Sequence, residues 1–191
     1  MEQKFEYDWF SFKSSNWKNY LSDYKDKENL NFLEIGSHEG RSCSWLLDNI
    51  LTHETSRMHC VDIFYDDGYE KKFGESLKTR FFKNTKKYGE KIILHEEWSF
   101  DFLTKGNIKK EKYDFIYVDG NHSAKCVIED SVLSFRLLKS NGILIFDDYD
   151  WNKNNLPPEK RPEIAIDAFL QIYKNLINVL YSGSQVIIKK I

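Results

Sequence analysis

The feature that most constrains this chain is an alternation: short apolar runs ending in an acidic or glycine residue, each followed by a stretch of helical periodicity. Asn31 to Ile35 predicts a buried strand and Gly36 to Gly40 a tight loop, after which Cys43, Leu46, Leu47 and Ile50 share one helical face. The rhythm repeats with a strand at Met58 to Ile63, a helix from about Glu75 to Tyr88, a strand at Lys91 to His95 and a short helix near Ser99 to Lys105. Tyr113 to Val118 and Ile143 to Phe146 are the most strand-like runs. Between them Ala124, Val127, Ile128, Ser131, Phe135 and Leu138 trace a helix stripe stopping at Asn141-Gly142. Strands alternating with helices predict an α/β fold with a parallel sheet. Asn178 to Ile191 splits at Gly183-Ser184 into two β-prone runs, so an antiparallel hairpin closes the sheet with one reversed strand.

Two regions stand outside this rhythm. Residues 1–30 are polar and aromatic, with Trp17, Tyr20, Leu21 and Tyr24 at helical spacing behind the cap candidates Ser14 and Ser15, and predict a helical cover. Phe5, Trp9, Phe10 and Phe12 could pack on their own domain, the favoured expectation, on a partner subunit or over a bound ligand. Residues 149–162 carry Trp151, Pro157, Pro158 and Pro162 and predict an irregular loop or lid. No repeat or linker marks a boundary, so residues 1–191 are expected to form one domain.

The loop Glu34-Ile35-Gly36-Ser37-His38-Glu39-Gly40 lies where an open α/β sheet binds its ligand, outside the carboxyl end of the first strand. Gly36 and Gly40 let the backbone approach a ligand closely, and a carboxylate at Glu34 suits a cationic sulfonium and amino group better than a pyrophosphate. The G-x-G-x-x-G dinucleotide pattern is not present. Asp62 closes the second strand, where a carboxylate can accept hydrogen bonds from ribose hydroxyls. Trp98 and Ser99, after the third strand, could equally lie along an adenine or serve packing and capping.

Two further strands end in carboxylates at the same sheet edge: Asp119 in Tyr-Val-Asp-Gly-Asn-His, and Asp147-Asp148 in Ile-Phe-Asp-Asp-Tyr. Three clustered carboxylates repel one another unless a cation or protons intervene, so a hard divalent ion is the expected occupant. His122, three residues after Asp119, is the expected general base because its ordinary pKa lies near neutrality. His38 and His95 read as structural, and His53 and His59 carry no signal.

Together these residues resemble class I methyltransferases, in particular the small O-methyltransferase group that includes metal-dependent macrolide-sugar and aminocoumarin enzymes. The most specific stretch is YDFIYVDGNHSAKCVIEDSVLSFRLLKSNGILIFDDY, residues 113–149, and FLEIGSHEGRS is also characteristic. The resemblance implies a Rossmann-like seven-stranded, mostly parallel sheet with an antiparallel last strand and helices on both faces. It implies S-adenosylmethionine held by Glu34, Gly36, Ser37, Gly40, Asp62 and Ser99. A divalent cation, magnesium foremost, would sit at Asp119, Asp147 and Asp148, with His122 and Asp119 catalytic. Asn121 stands where some members carry an acidic base, so proton abstraction falls to His122 alone, and the resemblance implies that the loop at 149–162 shapes the acceptor pocket.

The expected function is methyl transfer to a hydroxyl of a small molecule or glycan. Nucleic-acid methylation is the alternative raised by Lys71, Lys72, Lys78, Arg80, Lys83, Lys86, Lys87 and Lys91 around one helix. A non-catalytic binding domain of the same fold and a nucleotide-dependent oxidoreductase are further alternatives. Net charge is -2, from 28 basic and 30 acidic residues, so nothing global attracts a polyanion. Three cysteines without a CxxC pair, no apolar leader and no run near the roughly 18 apolar residues of a membrane span predict a cytoplasmic protein without a membrane partner. A homo-oligomer is left open.

Overall fold

A computed structural model describes residues 3–66, 68–106 and 110–191. Residues 1 and 2 of the expected cover lie outside the described residues. Seven strands, β1 (Asn31–Ile35), β2 (Arg57–Val61), β3 (Ile92–His95), β4 (Tyr113–Val118), β5 (Leu138–Phe146), β6 (Ile177–Ser182) and β7 (Val186–Lys190), form one sheet in the order β3-β2-β1-β4-β5-β7-β6. Strands β1 to β5 pair in parallel, and β7 is antiparallel to both of its neighbours, as the Gly183-Ser184 break predicts. The chain leaves β1 toward β2 on one side and returns to β4 on the other. A crevice opens at that switch point, outside the strand ends.

Helices α1 (Ser14–Leu21), α2 (Arg41–Asn49), α3 (Tyr69–Phe73), α4 (Leu77–Thr85), α5 (Ser99–Leu103), α6 (Ala124–Leu137) and α7 (Pro162–Tyr173) cover both faces. The two-residue period of the strands sorts their side chains. Leu33, Ile35, Ile116, Val118, Leu144 and Phe146 pack with α5, α6 and α7. Phe32, Phe115, Tyr117, Ile143 and Ile145 meet α1, α2 and α4 on the other face. Glu34 and Tyr117 therefore point toward the α1 face, which matters below.

Some boundaries differ from expectation. Helix α6 ends at Leu137, and Leu138 already belongs to β5. Asn141, with φ 63°, and Gly142 lie inside that strand, next to a register shift in its pairing with β4. The helix expected from Glu75 is α4, capped by Ser76 accepting from Thr79 N at 3.2 Å. It gives way to 3-10 turns over Lys86–Lys91. The short helix α3 had no counterpart in the reading of the sequence.

The N-terminal segment is an extended strap followed by a helix. Asn84 holds the strap, accepting from Lys4 N at 2.8 Å, while Glu39 accepts from Glu6 N at 2.9 Å and Arg80 pairs with Glu6. A 3-10 turn at Ser11–Lys13 runs directly into α1, so Ser14 and Ser15 are its first residues rather than its caps. Trp17 is fully buried, edge-on to Tyr117 at 4.7 Å, and its indole donates to Gln185 Oε1 at 2.9 Å. Phe10 is buried against Trp17, whereas Trp9 and Phe12 are exposed at the crevice mouth. Among the described residues no helix is long and apolar enough to cross a membrane.

Candidate active site

A cleft of about 720 Å³ occupies the switch point, and two sets of residues wall it. The first set follows β1, β2 and β3. Gly36 adopts φ 86°, and a Cβ there would lie 1.9 Å from the backbone oxygen of Asp119. Only glycine lets the turn after β1 pass that close to the end of β4. Asp62 follows β2 and accepts from His38 N at 2.8 Å and from Phe64 N at 2.6 Å. Both His38 and Phe64 have positive φ, so one carboxylate pins two loops that L-residues rarely form. Ser99, in the first turn of α5, lies on the same wall with Glu97 and Trp98.

Three residues expected to hold the cofactor directly do not line this cleft. Strand alternation turns Glu34 away from the cleft, where it is fully buried and accepts a short hydrogen bond from the Ser42 hydroxyl. Burial pushes its carboxyl up to about 8, and Glu34 braces the loop from below. Gly40 has φ 79° as it opens α2, and its missing Cβ makes room for Thr85 and Phe81 of α4. Ser37 lines a small side cavity next to Gly36.

The second set follows β4 and β5. Asn121 Oδ1 accepts from Ser123 N at 2.9 Å, and the turn folds His122 back toward the strand ends. His122 Nε2 lies 2.9 Å from Asp148 Oδ2 and 3.9 Å from Asp119 Oδ1. Asp148 has φ 55°, a left-handed conformation that costs a non-glycine residue about 1 kcal/mol or more. Burial opposes charging His122, but the bonds to Asp119 and Asp148 overcome it and push the imidazole up to about 10. Asp119 is raised by burial and by Asp147; for Asp148 burial is outweighed by His122, which holds it below the usual carboxylate range. Trp151, from the expected acceptor loop, packs 4.7 Å from the His122 ring.

Asp147 does not face the cleft. Its side chain is 1% exposed, with Oδ2 taken by Lys13 Nζ at 2.5 Å and by a short bond from the Tyr117 hydroxyl, and Oδ1 accepting from Asp148 N at 2.7 Å. The Tyr117 hydroxyl also reaches Asp119 Oδ2 at 2.9 Å. The expectation that Asp119, Asp147 and Asp148 converge on one divalent ion is therefore corrected: both oxygens of Asp147 are already satisfied, and an ammonium holds the cationic place. Asp119, His122 and Asp148 still offer three donor atoms within 4.8 Å of one another. A dication there would have to displace the His122–Asp148 bond beside the Lys13 charge, which both aspartates feel. The residues present do not fit the expected three-aspartate site.

Lys13 and Tyr117 were the residues missed in the sequence. The signal for Lys13 was its place four residues before the buried Trp17, one helical turn ahead of it; Tyr117 stands in β4 two residues before Asp119. His59 and His95 sit side by side, ring nitrogens 3.0 Å apart, away from the cleft. In the basic run, Lys78 pairs with Glu96, Arg80 with Glu6 and Glu75, Lys83 with Glu75 and Lys87 with Asp48. Those four cations are thus matched by carboxylates.

The sheet order, the reversed seventh strand and the cleft at the β1–β4 switch define a Rossmann-like methyltransferase fold. The chain belongs to the methyltransferase-domain family, whose profile matches residues 33–149. It is 27% identical over 156 residues to an uncharacterized protein of Acanthamoeba polyphaga mimivirus; the match covers 78% of this chain and spans 66% of that relative's length. Among solved structures it is similar to an O-methyltransferase from Bacillus cereus in complex with S-adenosylhomocysteine, with TM-score 0.68 and 16% identity, covering 93% of this chain and 81% of that one. It is also similar to MycE of the mycinamycin pathway, in complex with magnesium and S-adenosylhomocysteine, with TM-score 0.64 and 12% identity, covering 97% of this chain and 51% of that one.

Proposed function

We propose that this protein transfers a methyl group from S-adenosylmethionine to a hydroxyl oxygen of a small molecule, a sugar or a glycan. The observation that carries the reading is one cleft with two chemically distinct ends: Gly36, Asp62 and Ser99 at one, Asp119, His122 and Asp148 at the other. The first end offers what a nucleoside needs, a backbone turn of close approach and a carboxylate with lone pairs left for vicinal hydroxyls. The likeness in fold to the Bacillus cereus and mycinamycin-pathway methyltransferases, both in complex with S-adenosylhomocysteine, supports the same donor, and the first, an O-methyltransferase, supports an oxygen acceptor.

When bound, S-adenosylmethionine supplies a methyl carbon on a sulfonium, so that the acceptor oxygen forms the new C–O bond as the C–S bond breaks and its electron pair stays on sulfur. The chain's task is to orient the acceptor and take its proton. Neutral His122, whose Nε2–H is donated to Asp148 2.9 Å away, accepts that proton at Nδ1, and Asp148 stabilises the imidazolium formed. Asp119, held by Tyr117, keeps the hydroxyl in hydrogen-bonding reach of the same point. Trp9 and Trp151 give the acceptor end apolar ring faces, the usual walls of a small-molecule site. A divalent ion has no part in this reading.

Isothermal titration with S-adenosylmethionine tests the donor, and radiolabelled methyl transfer to a panel of phenols, sugars and glycans tests the acceptor. Tight binding of the donor and label in an ether-linked product are expected. No binding of S-adenosylmethionine, or preferential binding of NAD, would sink the reading.

A further inference from the structure

The N-terminal strap carries a charge into the one place where the strand ends most need it. Lys13 is 7% exposed, a burial that lysines reach only when paired. Its ammonium lies 2.5 Å from Asp147 and is felt by Asp119 and Asp148 as well. The placement is anchored: Phe10 and Trp17 flank it in the core, and the strap is tied to Asn84 and Glu39. Lys13 lines the cleft and Asp147 does not, so the ammonium stands between that carboxylate and the ligand space. Tyr117 bridges Asp147 and Asp119 with a single hydroxyl hydrogen. The Lys13–Asp147 pair thereby fixes where the Tyr117 hydroxyl sits, 2.9 Å from Asp119 Oδ2.

We propose that Lys13 is a resident organic cation that neutralises the Asp119–Asp147–Asp148 group in place of a divalent metal, and positions Asp119 through Asp147 and Tyr117. Its catalytic half rests on the methyl-transfer reading above; its charge half stands on the geometry alone. Lys13 here is a positioning residue: it donates no proton to the reacting atoms and leaves the stoichiometry of methyl transfer unchanged.

The test is manganese binding, read by electron paramagnetic resonance on the full chain, beside titration of S-adenosylmethionine. The wild type is expected to hold no stoichiometric manganese at millimolar metal. Lys13→Met keeps the aliphatic stem but frees Asp147, and is expected to bind one manganese ion about a hundredfold more tightly, as deleting a neighbouring unit charge requires. Lys13→Arg should exclude manganese as the wild type does. Donor binding retained in Lys13→Met shows the cleft intact. Equal manganese binding by wild type and Lys13→Met, whether tight or absent, overturns the proposal. Should Lys13→Met not fold, the wild type decides alone: one bound manganese overturns it, none supports it. Failure of every variant to bind S-adenosylmethionine would remove the methyl-transfer reading and leave the manganese result standing. Full turnover in EDTA is the catalytic counterpart, and turnover lost in EDTA and restored by magnesium overturns that half.

Discussion

The two ends of the cleft are built differently. At the donor end, the contributing residues follow the strands: Gly36 directly after β1, Asp62 directly after β2, and Ser99 opening the helix after β3. At the acceptor end, Asp119 and Asp148 also follow strands, but Lys13 comes from the N-terminal strap, His122 from a turn and Trp151 from a loop. A site carried by strand ends inherits its geometry from the sheet. One assembled from a strap, a turn and a loop depends on side-chain pairing, and the left-handed Asp148 is held only because its surroundings over-determine it.

If that contrast holds, substitutions at the acceptor end should slow chemistry and spare donor binding, and those at the donor end should do the reverse. The largest effect is expected for His122→Ala: kcat falls about a thousandfold, as for loss of a general base, with donor affinity unchanged by titration. The wild-type kcat/KM should climb with pH toward about 10, because the bonds to Asp119 and Asp148 hold His122 protonated below that. A profile already flat at neutral pH, or one identical in His122→Ala, would break the assignment.

Next in size is Gly36→Ala, where a methyl group must enter the 1.9 Å gap to Asp119 O at a φ of 86°. Overpacking and backbone strain together cost about 3 kcal/mol, so donor affinity should drop about a hundredfold and Tm should fall with it. Asp62→Ala removes the acceptor of two backbone amides and is expected to weaken donor binding about thirtyfold while leaving Tm closer to wild type. Unchanged affinity in either variant would move the donor away from the first loop.

The smallest effect lies outside the cleft. Burial, then the charges of Lys112 and His95, lowers His59 to about 3 from an ordinary 6.5, and His95 is lowered as well, chiefly by burial. The unfolded chain therefore gains protons that the native one refuses, so stability is lost as pH falls below 6.5 and the loss stops growing near 3. Between about pH 6.5 and about pH 5 the cost should reach about 2 kcal/mol, measurable by urea unfolding. His59→Gln should flatten that slope.

Much of this molecule was legible in its residues. The alternation of apolar runs and helical stripes implied the parallel sheet, Gly183-Ser184 implied its reversed strand, and Gly36, Asp62, Asp119 and His122 marked the crevice, because each stands at a fixed offset from a strand end. What could not be read was which neighbours would share an atom. Whether Asp147 faces a ligand or a lysine depends on where a strap 134 residues away comes to rest. Local periodicity is set by the backbone and is written residue by residue; the partner of a buried charge is chosen only when the chain closes around it, since that closure decides which opposite charge is present to offset desolvation.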